Sequence, residues 1–180
     1  MAENERQVVM RPLDVVILLK KITPSGRTMN GKQLADALGI SPAEVSISLV
    51  RSRFSRLLDA GKNRVNALSL KEFLLHGMRY VFPASPGALV RGIPTASSAY
   101  PISKTIASTG EHYVWADPEG TLRGQSIVPL YPKAAEAAKK DPDFYSLLTI
   151  IDSLRIGQAR ERKAAESELE KYLESYARSN

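Results

Sequence analysis

Cysteine is missing from the 180 residues, and histidine stands only at positions 76 and 112. The first absence removes disulfides, thiolate zinc sites, iron–sulfur clusters and cysteine nucleophiles together. The second leaves too few imidazoles for a histidine-rich metal centre, so neither metal nor cofactor is expected. No apolar run reaches the roughly 18 residues that a membrane-spanning helix needs. The opening MAENERQVVMRP has neither the unbroken apolar stretch nor the small-residue cleavage site of a secretory signal, and a cytoplasmic location is the expectation. Enzyme signatures are lacking too. Lys32 follows Gly31, but Gln33 stands where a phosphate-binding loop needs Ser or Thr. No nucleophile elbow surrounds any serine, and His112 beside Glu111 reads as a strand or surface residue rather than a general base.

What is present is 43% hydrophobic and 24% charged, enough for one ordinary domain or a small domain with a substantial appendage. The formal charge is +6, unevenly distributed: residues 1–80 hold 13 Lys/Arg against seven Asp/Glu, residues 81–132 three of each sign, and residues 133–180 nine of each. The excess therefore lies in the first 80 residues, where Arg51, Arg53, Arg56, Lys62 and Arg64 meet only Asp59 in sequence. Such a cluster is either a solvated basic face or a field that attracts a phosphate backbone through counterion release.

Local signals divide the chain into elements. Pro12 suits the first position of a helix, and Leu13, Val16, Ile17 and Leu19 keep helical spacing to about Ile22. Thr23-Pro24-Ser25-Gly26 is a turn. A short helix follows over about 31–38, with Leu34, Ala35 and Leu38 inward and Gly39 ending it in a left-handed conformation. Ser41-Pro42-Ala43-Glu44 is a capping box, and the helix it opens is expected to run from Pro42 to Leu58. A second box, Ser69–Glu72, opens a helix to about Gly77. Tyr80-Val81-Phe82 reads as a short strand and 83–110 as a flexible loop. Two further strands, 112–116 and about 121–128, are joined by the type I turn Asp117–Gly120 into a β-hairpin. Helices are expected at 133–140, from Asp141-Pro142 through Leu154, and at about 158–176.

The segment GKQLADALGISPAEVSISLVRSRFSRLL, residues 31–58, resembles the helix-turn-helix of DNA-binding transcriptional regulators. Ala35 falls where the two helices approach, Gly39 takes the turn four residues later, Val45 lies six beyond that, and Ile40 plugs the gap; tight packing of two short helices dictates these spacings. With a β-hairpin after it, the chain resembles the winged-helix class, including MarR-like regulators, over residues of about 10–60. The pattern departs from that class afterwards, since the helix at 69–76 and the loop at 83–110 separate the hairpin from the helix it should follow. The resemblance implies a mainly α fold with a small β-hairpin. Its parts are a helix-turn-helix over 1–80, a loop and hairpin offered as a wing over 81–132, and a C-terminal helical extension over 133–180.

It implies also that Pro42–Leu58 enters the major groove of double-stranded DNA. Ser41, Ala43, Ser46, Ile47 and Val50 face outward near its leading end, with hydroxyls for phosphates or base edges and apolar groups for a thymine methyl. Arg51 and Arg53 are the candidates for base or phosphate contact. Arg56, Lys62 and Arg64 are placed on the backbone, Lys32 on a phosphate at the start of the preceding helix, and Arg123 at the tip of the wing. The alternative for that hairpin is an edge that packs Tyr113 and Trp115 on the core. Ile47, Val50, Phe54 and Leu57 make a further apolar stripe, which calls for a later element or a second subunit to cover it, or else places the whole helix in the core. Leu169, Tyr172, Leu173 and Tyr176, in line with Ala165, are the expected homodimer contact; the alternative is that they cover their own domain. The expected function is sequence-specific DNA binding by a dimeric transcriptional regulator, without catalysis. The alternative is an antitoxin-type protein whose C-terminal half holds a toxin-like partner and which regulates itself through DNA. A third reading uses the helix-turn-helix for protein contacts alone.

Overall fold

Residues 9–59, 61, 63–106 and 110–179 are described by the computed structural model. Helix α1 (Pro12–Ile22) lies at the centre because its middle turns are apolar on every side: Val15, Val16, Ile17, Leu18 and Leu19 are all fully buried, which requires neighbours all round. It packs against α3 (Pro42–Phe54) and α8 (Pro142–Ile156). Between α1 and α3, α2 (Gly31–Leu38) is closed at its start by reciprocal hydrogen bonds of Asn30 and Gln33. Gly39, at φ 65°, reverses the chain into α3. The capping box of α3 forms as its sequence dictates. The Glu44 amide donates to Ser41 Oγ at 3.1 Å, and the Ser41 amide donates to the Glu44 carboxylate at 2.9 Å.

Helix α3 ends at Phe54, short of the expected Leu58. Arg56 adopts a φ of 60°, and the amides of Leu57 and Leu58 turn back onto the Ser52 carbonyl at 3.0 and 3.2 Å. The chain then doubles on itself: Leu58 and Val65 form an antiparallel bridge, flanked by hydrogen bonds from the Asp59 amide to the Arg64 carbonyl (2.7 Å) and from the Asn66 amide to the Leu57 carbonyl (2.9 Å). Helix α4 (Ala67–His76) starts before the Ser69 box because Asn66 is its cap and accepts from the Ser69 amide. The expected strand at Tyr80–Phe82 is a helical turn instead, α5 (Met78–Val81). Met78 is fully buried there, and the Val81 amide returns to the Gly77 carbonyl, so Gly77 bends the helix without stopping it.

The span 83–110, expected as loop, contains strand β1 (Leu89–Pro94), a 3-10 turn (Ala96–Ser98) and α6 (Ile102–Thr105). Strands β2 (Tyr113–Ala116) and β3 (Leu122–Ser126) lie where expected, and the Gly120 amide closes the turn onto the Asp117 carbonyl at 3.0 Å. They are not a hairpin. β1 runs antiparallel to both, with Gly92 opposite Ala116 on one side and Leu122 on the other. β2 and β3 therefore run parallel, Tyr113 opposite Gln125, and the three strands close on one another. Such closure needs bare backbone. A Cβ on Gly92 would lie 2.0 Å from the Trp115 carbonyl oxygen, and one on Gly120 would lie 2.2 Å from the Gly92 carbonyl.

Helices α7 (Ala134–Lys140), α8 and α9 (Ala159–Arg178) complete the chain. Asp152 of α8, fully buried, accepts from Thr95 Oγ1 (2.8 Å), Trp115 Nε1 (2.7 Å) and Arg155 (2.7 Å). Arg155 in turn donates to the carbonyls of Phe82 and Val128 at 2.9 and 3.1 Å, so one buried ion pair fastens α8 to the strands and to the end of α5. Leu169, Leu173 and Tyr176 of α9 are buried within the monomer, where α9 packs on α4 and α8. Tyr172, beside them, is half-buried. The stripe expected to join two subunits thus closes the chain's own core. Among the described residues, no helix is long and apolar enough to cross a membrane.

Candidate nucleic-acid interface

Helix α3 has two unlike faces. Val45, Ser48, Leu49 and Ser52 point inward, on the side where α3 packs on α1 and α2. Ala43, Ser46, Ile47 and Val50 face solvent. Ile47 is 56% exposed, Val50 57% and Phe54 69%, so nothing among the described residues covers this stripe; only Leu57, beyond the helix, is buried. Ser41 is exposed too, but its hydroxyl is engaged with Glu44, accepting from the amide and donating to the carboxylate. Those hydrogen bonds, from the Ser41 backbone first and its side chain second, hold the Glu44 carboxyl below the usual range. The leading turn of α3 therefore carries a firm negative charge beside the apolar stripe, a feature the sequence reading treated only as a cap.

The basic residues divide sharply. Arg51, the foremost candidate for base contact, is turned inward. Its guanidinium grips the buried Asp14 through two hydrogen bonds, Nε to Oδ2 at 2.7 Å and a terminal nitrogen to Oδ1 at 2.5 Å. A carboxylate buried on α1 needs such a fork, and Arg51 is thereby withdrawn from any ligand. Arg53, Arg56 and Arg64 come together instead. With Leu58, Asp59, Val65 and Asn66 they line an open cleft of about 470 Å³ between the end of α3 and the Leu58–Val65 turn. Arg53 donates to Asn63 Oδ1 at 3.2 Å, while its Nε is buried and, among the described residues, without a partner. Lys62 lies outside the described residues.

Lys21, on the last turn of α1, was missed by the sequence reading. Burial chiefly, and the nearby positive charge of Arg53, lower its pKa from the ordinary lysine value. Two consecutive lysines ending an otherwise apolar helix were the available signal. Lys32 is exposed at the start of α2. Gly26 and Gly31 share the glycine spacing of a phosphate-binding loop, but a helix precedes them and Asn30 closes the first turn of α2. Arg123 is exposed on β3, opposite Arg91 in an antiparallel pair. Its sheet is fastened to α8, and the segment that follows α3 directly is the Leu58–Val65 turn. The hairpin offered as a wing is thus neither a hairpin nor next in line after α3.

No family model, no curated protein and no solved structure matches the chain.

Proposed function

We propose that the protein is a sequence-specific DNA-binding regulator of the winged-helix type, in which α3 lies in the major groove and the Leu58–Val65 turn stands in the place of the wing. The observation that carries this reading is the arrangement along α3. Its leading half offers a solvent-facing surface of Ala43, Ser46, Ile47 and Val50, and its trailing end runs into the cleft of Arg53, Arg56 and Arg64. Groove contact by the first and phosphate contact by the second is the division of labour such helices use. Ile47 and Val50 suit thymine methyl groups, Ser46 and Glu44 suit polar base edges, and Lys32 adds a phosphate contact from α2. Palindromic sites would be bound by two copies joined through a surface other than the α9 stripe.

The test is fluorescence anisotropy of random-sequence and selected duplexes over a salt series. Four phosphate contacts, from Lys32, Arg53, Arg56 and Arg64, give a slope of log K against log salt of about −3 to −4. Absence of binding at about 50 mM salt overturns the reading.

A second reading, the antitoxin-type interaction protein, is favoured by one further observation. Tyr80, Val81 and Val128 are each more than half exposed, and the carbonyls of Phe82 and Val128 share the Arg155 guanidinium, which brings together the two segments that carry these apolar side chains. Capture of a protein partner that survives Ile47→Glu on α3 but fails on Val128→Glu distinguishes it.

A further inference from the structure

A second cleft, of about 580 Å³, opens between the 3-10 turn, α6, the start of β2 and the first turn of α9. Its volume is that of a small-molecule site, and its lining is polar and apolar in about equal measure. The polar groups fall into two sets. Glu161 is engaged, accepting from the Gln158 amide at 2.8 Å. Burial first, and the charges of Glu161 and Glu111 next, push the Tyr113 phenol up, which places Glu111 beside it, and Ser98 Oγ accepts from the Tyr113 amide at 2.9 Å. The other set consists of Ser97, Ser103, His112 and Arg160, one from each of the four walls. Among the described residues none of these four side chains makes a hydrogen bond or an ion pair. The unengaged capacity is therefore a permanent cation, an imidazole and two hydroxyls, all able to donate. The two carboxylates keep lone pairs free to accept from a ligand hydroxyl.

We infer that this cleft binds a small hydroxylated carboxylic acid, such as a sugar acid, with its carboxylate on Arg160 and His112 and its hydroxyls between the serines and the two glutamates. An uncharged sugar would leave Arg160 without its partner. A bare anion such as phosphate would gain nothing from the glutamates and be repelled by them. A cationic sugar would face the guanidinium. The inference is independent of the DNA reading, since none of these residues belongs to α3 or its cleft.

The test uses the full chain, labelled for NMR and titrated separately with gluconate, glucose, inorganic phosphate and glucosamine. Saturable shifts of the His112 ring and of the Ala159 and Ser97 amides with gluconate are expected. Glucose and phosphate should bind at least about tenfold more weakly, as loss of one charge-assisted hydrogen bond implies. Arg160→Gln, an exposed position, should weaken gluconate by a similar factor without changing the melting temperature. Ser103→Ala, in a different wall, should weaken it less. Four outcomes overturn the assignment: no saturation by gluconate below about 10 mM, phosphate binding as well as gluconate, glucosamine binding best, or gluconate binding that Arg160→Gln leaves intact.

Discussion

Arg56 occupies a backbone conformation that glycine adopts freely and other residues adopt at a cost. It sits at φ 60° just past the end of α3, with its side chain lining the basic cleft. If that side chain serves the cleft rather than the fold, Arg56→Gly should leave stability unchanged or raise it by up to about 1 kcal/mol. Binding to every duplex should weaken, and the salt slope should lose about one unit. Calorimetry and anisotropy on the same variant check both halves. Arg51 calls for the opposite outcome. Its removal strands the Asp14 carboxylate, which has no solvent exposure, so Arg51→Ala should cost about 3 kcal/mol in urea unfolding while leaving the salt slope of binding in place. An arginine in sequence tells nothing of which kind it is. Arg51 and Arg53 are two residues apart, yet the partner that separates them, Asp14, lies 37 residues away from Arg51.

The helices that were legible in sequence carry their own boundary markers. Pro12, Gly39 and the Ser41–Glu44 box all act within four residues, and the helix starts and the turn they mark appear as read. The C-terminus of α3 was not legible because an arginine, not a glycine, makes the left-handed stop. β1 was hidden by its flanking prolines, and its pairing with residues 20 to 36 positions away leaves no local trace. The exposed and buried faces of α9 follow from its spacing, but which molecule covers the apolar stripe does not. Leu169→Ala should destabilise the monomer by about 2–5 kcal/mol, with a urea midpoint that does not change with protein concentration. A midpoint rising with concentration would return this stripe to a subunit interface. The cleft between Arg53, Arg56 and Arg64 was partly readable from charge; the small-molecule cleft was not, since its four walls come from separate parts of the chain.

At the level of the whole molecule, one apolar cluster runs from Val15 of α1 to Tyr176 of α9, and the N-terminal helices are tied to the C-terminal ones by Lys20 and Asp141. Burial pushes the Asp141 carboxyl up, but Lys20, the Phe144 amide and Ser25 outweigh it and hold the group below the ordinary aspartate value. An aspartate in the unfolded chain titrates near about 3.9, so on acidification the unfolded state takes up the proton first. The stability from this pair is present above that pH and is lost as pH falls through the lower native value. Asp141→Asn should therefore be less stable than the parent at neutral pH and flatter between about pH 5 and pH 2 in urea titrations. Parallel curves would remove Asp141 from the acid response.

The closed arrangement of β1, β2 and β3 has a consequence for how this molecule meets others. Every strand already has a neighbour on both flanks, β2 and β3 meeting over two residues, so no long row of backbone donors and acceptors is left for an incoming chain to extend. Polymerisation through strand exchange has no starting template in this sheet.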